Sequence, residues 1–348
     1  MVKKIVCFPV TKWHLYGMLS YLNEMYGEYQ VQKLDIDVYS VKHSENGYLL
    51  SYNDMPYQNM SFYREEELPI HKKNLLIAPY VFSKKKVESS QVIVMFAKSI
   101  LVRKMLAYLD NFGLKKNKVQ VVLVDDGIGS YLSNKVWEKC SETEGGLSIK
   151  TKIKNEIASF IQKRVSASEW HMLSLEDDHL KQLHTAGYLT VIRYDVKKSF
   201  ELQLKNFKEH YSKKPIAFLV TQPWSETEQL SPTEEKQIIS SVIEQLSKKY
   251  CVIVKPHPRE DKQKYDFKNI VVLGKEYPAE FYLCALEKKD IVVGFNSTAL
   301  VSAAFIFGLR TYTISDRVAF SNMDNMMKVA CKEFLNLTDG TISVLECV

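Results

Sequence analysis

Residues Cys251 to Glu260 read CVIVKPHPRE, a short apolar run of strand type that passes into Lys255, Pro256, His257, Pro258 and Arg259. Each proline fixes its own φ and pushes the preceding residue toward an extended conformation, so the backbone on both sides of His257 is held and the imidazole is aimed. In open α/β sheets, ligands gather outside the carboxyl ends of the strands, which is where Val252 to Val254 would deliver Lys255, His257 and Arg259. Three potential cations at that place suit a phosphate. The imidazole could also donate a proton to a leaving phosphate, because histidine titrates nearest neutrality. A loop histidine among surface cations is the other reading, and this segment alone does not choose.

Working outward, the alternation of β and α continues on both sides. Ile216 to Val220 is of strand type, Thr221-Gln-Pro-Trp224 is a turn, and a helix is expected from Pro232 to Lys249 with Ser231 as its cap. Asn269 to Leu273 is the next strand, Tyr277 to Phe281 opens a helix, Asp290 to Gly294 is a strand, and Phe295 to Leu300 opens another helix. This pattern predicts an α/β unit with a parallel sheet. Ser297 and Thr298 place two hydroxyls beside the free N–H groups and the positive dipole end of the last helix, a phosphate cradle. Simple N-capping accounts for the same residues. Glu280, in a first helical turn, reads as a dipole-compensating acid or as a ligand for ribose hydroxyls.

The amino-terminal half carries a similar but weaker pattern. Lys3 to Phe8 is a strand and Leu15 to Met25 a helix, with Leu34 to Tyr39 and Leu75 to Pro79 as further strands. Tyr48 to Pro69 has no period and reads as an irregular connection or an acceptor-lining segment. Gln91 to Ala97, Ser99 to Asn111 and Lys118 to Val124 form a βαβ unit, hence parallel strands. At its carboxyl end stand Asp125, Asp126 and Gly127. Two adjacent acids at a buried strand end repel one another, which raises the pKa of one and suits a general base. An Asp-Asp-Gly turn capping the next helix is the plainer alternative. A metal has no further acid or histidine at short ligand spacing, and His171, His179 and His184 lack such spacing too. From Gly145 to His210 the chain is charged and mostly helical in period, clearest at Ile153 to Val165, with Tyr188 to Tyr194 as a strand. Lys205 to Pro215 is the expected linker, dividing the chain into lobes 1–205 and 206–348.

The 348 residues, 46% of them hydrophobic, suffice for two such lobes, and 47 Lys and Arg against 41 Asp and Glu give a mild formal charge of +6. Nucleic acid is not expected, because the lysines are scattered in pairs and triplets without interleaved aromatics. Six cysteines with no Cys-x-x-Cys spacing fit a reducing cytoplasm. Met1 to Pro9 is too short for a signal h-region, and the apolar stretch Ile291 to Leu309 is broken by Asn296, Ser297, Thr298 and Ser302. Membrane contact would therefore be peripheral, at the inner face, and a homodimer is compatible with the sequence.

In combination, the Asp-Asp-Gly strand end, the Lys-Pro-His-Pro loop and the later Ser-Thr helix start resemble the bacterial sialyltransferases, whose motifs occur in this order. The resemblance is nearest to the lipooligosaccharide and capsule group, glycosyltransferase family 52, and the Thr-Gln-Pro and Tyr-Pro-Ala-Glu segments look like that group as well. It is specific over Pro215 to Thr313 and Val121 to Gly127. It implies a GT-B fold, two Rossmann-like lobes facing a central cleft, and an inverting transfer of sialic acid from CMP-sialic acid to a terminal sugar, galactose by expectation, of an oligosaccharide or glycolipid acceptor.

By that resemblance Asp126 would be the general base and His257 the general acid, with Asp125, Gly127 and Pro258 in support. Lys255, Glu280, Ser297, Thr298, Thr221 and Gln222 would bind the donor. No cofactor or metal is expected, since one phosphate leaves with CMP and cations with a helix end can neutralise it. A transferase with another nucleotide sugar, a CDP-glycerol-type polymer transferase and a non-catalytic nucleotide-binding pair of lobes stand as rivals.

Overall fold

A computed structural model describes residues 4–42, 48–68, 92–97, 119–124, 168–170, 190–192, 195, 214–260, 262–268, 270–274, 277–318, 325–338 and 340–346. The chain divides into two compact units, Met1–Ser130 with Leu147–Asp195, and Tyr131–Gly146 with Val196–Val348.

In the first unit six parallel strands are β1 (Lys4–Phe8), β2 (Ile36–Ser40), β3 (Met60–Arg64), β4 (Val92–Ala97), β5 (Val119–Val124) and β6 (Ser168–Trp170). They lie in the order β3-β2-β1-β4-β5-β6. Ile5 to Phe8 are all fully buried, as a central strand covered on both faces requires, and this is why the run is continuously apolar rather than alternating. Helix α1 (Lys12–Tyr26) follows. It starts three residues before its apolar period because Thr11 caps it: the His14 N–H donates to Thr11 Oγ1 and the Thr11 N–H donates back to His14 Nδ1, 3.1 Å away. A short helix α2 (Glu28–Val31) precedes β2.

The second unit holds β7 (Ile216–Val220), α3 (Pro232–Ser247), β8 (Cys251–Lys255), β9 (Ile270–Val272), α4 (Ala279–Leu283), β10 (Ile291–Gly294), α5 (Thr298–Val301), β11 (Arg310–Thr313), α6 (Asn325–Thr338) and β12 (Ile342–Val344). Its six strands are parallel, in the order β12-β11-β10-β7-β8-β9. Helix α3 begins at the expected Pro232, with Ser231 and Glu234 forming a reciprocal cap. Its residues Ile239, Val242, Ile243 and Leu246 recur at helical spacing and enter one buried cluster with Val252 and Val254 of β8. Buried Asp290 accepts the backbone N–H groups of Ile216 and Glu287, each at 2.8 Å, and so ties the start of β7 to the turn before β10.

Both sheets are doubly wound: the unit's first strand lies beside its fourth, and the chain reverses direction across the sheet between them. This is the α/β architecture of GT-B type. The gap between β7 and β10 at their carboxyl ends is the place where such sheets hold ligands.

Two expectations need correction. Residues 190–192 are helical where a strand was expected over Tyr188 to Tyr194; the adjacent buried pair Val191 and Ile192 suits either state. The stretch Tyr48 to Pro69 contains β3, whose edge position gives it no alternation of burial. Strands β6, β11 and β12, three or four residues each, were not anticipated, since none carries an apolar run of strand length. The expected elements at Leu75 to Pro79, Ser99 to Asn111 and Ile153 to Val165 lie outside the described residues.

Candidate active site

Strand β8 is buried through its last residue, Lys255, which is only 4% exposed. A lysine can end a core strand only if its ammonium finds a partner, and its Nζ donates to the carbonyl of Gly274 at 2.8 Å, just beyond β9. The chain then turns through Pro256, His257 and Pro258. Since neither proline has an N–H, that of His257 is the single backbone donor among these three residues, and it donates to Glu260 Oε2 at 2.5 Å. The next donor, Arg259 N–H, points to His257 Nδ1 at 3.2 Å. Nδ1 is thus the accepting nitrogen, and in the neutral ring Nε2 carries the proton.

Glu260 is fully buried and was not singled out in the sequence. Its carboxylate also accepts from Thr221 Oγ1 at 2.5 Å and from the Tyr265 hydroxyl, and it pairs with Lys264 Nζ at 2.8 Å. The signal available was its spacing: an acid three residues after His257 can fold back onto the His257 N–H, as a capping-box glutamate does. Thr221 itself sits at the end of β7, its N–H donating to Lys255 O at 3.3 Å, and Gln222 follows it half-buried.

Glu226, Glu235 and Glu260 each offer an oxygen within 4.8 Å of the others, the one group of possible metal ligands among the described residues. The cation among them is Lys264, whose Nζ lies 3.0 Å from Glu226, 2.9 Å from Glu235 and 2.8 Å from Glu260. Burial opposes its charge, but hydrogen bonds to Glu260 and Glu235 outweigh that and hold the ammonium pKa up.

At the end of β10 the chain passes through Phe295 and Asn296 to Ser297, which caps α5 by accepting the Ala299 N–H at 3.2 Å. Thr298 is the first helical residue. Asn296 Nδ2 reaches Cys331 Sγ of α6 at 2.8 Å, so this loop is braced from the following helix. After α5 the chain widens into a π-helical turn, Ser302–Ile306. Ser302 Oγ stands 3.2 Å from Glu280 Oε1 and 3.1 Å from the Thr298 carbonyl, linking buried Glu280 to the Ser-Thr turn. Burial pushes the Glu280 carboxyl above its ordinary range; hydrogen bonds from its own backbone and from Ser302, with the charge of Lys255, offset part of that push.

Residues expected to bind the donor therefore come from the carboxyl ends of β7, β8 and β10, with Glu280 joined through Ser302. These three strands are neighbours in the sheet. In the first unit β5 ends at Val124, and Asp125, Asp126 and Gly127 lie outside the described residues. No described helix is long and apolar enough to cross a membrane.

The model of a family described as alpha-2,8-polysialyltransferase matches residues 93–315. No curated protein matches the sequence. Among solved structures, UDP-GlcNAc 2-epimerase from Neisseria meningitidis bound to UDP-GlcNAc is similar with a TM-score of 0.52 and 12% identity, over 99% of this chain and 88% of that one. A sialyltransferase from Photobacterium damsela gives a TM-score of 0.48 and 13% identity over 99% of this chain and 82% of that one. At these identities the likeness describes the fold.

Proposed function

The chain belongs to the alpha-2,8-polysialyltransferase family, and on that footing we propose that it is an inverting, CMP-sialic acid-dependent transferase that extends a bacterial surface glycan. In the proposed reaction the bond from the anomeric carbon to the CMP phosphate breaks through an oxocarbenium-like state while the acceptor oxygen attacks from the opposite face. Asp126 takes the acceptor hydroxyl proton. His257, entering as the imidazolium, gives its Nε2 proton to the leaving phosphate and is left as the neutral imidazole. A donor β-linked to CMP then yields an α-linked product, in keeping with the linkage in the family's description.

The observation that carries this reading is the placing of His257: two prolines and Glu260 hold its backbone at the carboxyl end of β8, and the Arg259 N–H on Nδ1 sets the ring so that Nε2 would face the phosphate. Ser297, Thr298 and the start of α5 would receive the phosphate, and Lys255 and Glu280 would support the nucleotide. The role of Lys255 is electrostatic in this scheme, because its ammonium is buried and bonded to Gly274. With a single phosphate on the leaving group, these charges suffice and no metal is required.

The family's description names a linkage onto sialic acid, so a sialic acid-ended glycan is the proposed acceptor; a galactose end, expected from the motif order of the capsule and lipooligosaccharide group, is the comparison. The transfer would take place at the cytoplasmic face of the membrane. The test is an assay with CMP-sialic acid and EDTA, offering a sialyl-lactose and lactose side by side. Products on sialyl-lactose support the reading, products on lactose alone move the acceptor to galactose, and no release of CMP with either overturns it.

A further inference from the structure

We propose that Glu260 is the positioning residue for His257, fixing the direction of the imidazole rather than merely stabilising the fold; this rests on the reading of His257 as the general acid. The backbone from Pro256 to Arg259 has two N–H donors, because residues 256 and 258 are prolines. Both are committed to aiming the ring. The first, from His257, ends on Glu260 Oε2, and the second, from Arg259, ends on His257 Nδ1. Glu260 N–H closes the same turn by donating to the His257 carbonyl at 3.0 Å.

The carboxylate is held from three directions. Thr221 approaches from the end of β7, the His257 N–H from the loop after β8, and Tyr265 and Lys264 from the 3-10 turn Lys262–Tyr265. Every one of these partners is a donor. An ionised carboxylate has only accepting sites, whereas its amide isostere must turn an NH₂ group toward at least one donor. The loops that follow two adjacent strands are thus locked to one another through a single buried anion, and Lys264, shared with Glu226 and Glu235, balances its charge.

The consequence for catalysis is separable from stability. If Glu260 acts through His257, its replacement tilts the imidazole and lowers kcat, but leaves the Ser-Thr turn at the end of β10, two strands away in the sheet, and hence CMP affinity intact. Misplacement of a reacting group by about 1 Å costs on the order of a hundredfold. Glu260→Gln is therefore expected to lower kcat by about tenfold to a hundredfold with the Kd for CMP unchanged. The decisive measurement is the same substitution in a His257→Ala background, where no further loss of kcat is expected because the group being aimed is gone. Equal losses in both backgrounds, or a CMP affinity that falls along with kcat, would assign Glu260 to the fold alone. Tyr265→Phe removes one donor while keeping the carboxylate, and serves if Glu260→Gln fails to fold: it should lower kcat only when His257 is present. Full activity in His257→Ala by itself would defeat the general-acid reading instead, a result the same assay reads separately.

Discussion

A methyl group on Gly294 would stand 2.8 Å from the carbonyl oxygen of Val220, its partner in register across β10 and β7. The two strands at the switch point of the second sheet thus meet without room for any side chain. Gly294→Ala must displace a paired backbone carbonyl, and it is expected to cost about 1–3 kcal/mol of stability, seen as a lower urea midpoint. Because the Ser297 turn is launched from Gly294, CMP binding should weaken with it. An alanine variant with wild-type midpoint and CMP affinity would show that the strands can part freely.

His257→Ala and Asp126→Ala should each lower kcat by about 10² to 10⁴, the range of general acid–base groups. The Kd for CMP should change little in Asp126→Ala, since a base for the acceptor hydroxyl does not touch the nucleotide. Single-turnover rates with calorimetric CMP titration separate the two effects. Wild-type turnover in either variant removes that residue from the mechanism.

The second unit was the more legible part of the sequence, for physical reasons. Its central strands β7, β8 and β10 are buried on both faces, so IAFLV, CVIV and IVVG stand out as apolar runs, and Ser231-Pro232 marks a helix start by capping chemistry. Edge strands β3, β6 and β12 lack that contrast, and interior β11 reads RTYT with no apolar run, so none of the four was distinguished. The aim of His257 was readable from its prolines, yet Glu260 was not: His257, Lys264 and Tyr265 lie within five residues of it, but Thr221, the partner that ties it to the site, is brought to it only by the pairing of β7 with β8. Lys255 illustrates the opposite limit: a basic residue at a strand end suggests a phosphate contact, but only the fold shows its ammonium turned to Gly274.

Ser297→Ala with Thr298→Ala should weaken CMP binding more than it lowers kcat at saturating donor, because both hydroxyls stand where the phosphate would rest. Loss of the cap also costs about 1 kcal/mol of stability, so affinity must be measured well below the unfolding transition. Unaltered CMP affinity would return the pair to simple capping.

EDTA should leave the rate unchanged. The acid cluster of Glu226, Glu235 and Glu260 already has a cation at its centre in Lys264, and the proposed leaving group carries one phosphate. Loss of activity on chelation, restored by a divalent ion, would require a metal at the donor phosphate.

Glu280 gives the fold a pH dependence whose sign follows from its raised pKa. In the unfolded chain the carboxyl titrates near its ordinary 4.5, while in the fold burial holds the proton to higher pH. Between those two values the folded state binds more protons than the unfolded one, so stability falls as pH rises through that window. Its contribution is fully present below the unfolded value and is lost above the folded one. Glu280→Gln keeps the shape and an oxygen for Ser302 but cannot ionise. Relative to wild type it should therefore gain stability as the pH is raised from acid to neutral, with the two urea midpoints drawing together on acidification. The charge of Lys255 opposes this trend, since it favours the ionised form, but the net shift is upward, so burial is the larger effect. A gap between the midpoints that widens toward low pH would reverse that order and make the attraction of Lys255 the dominant force on Glu280.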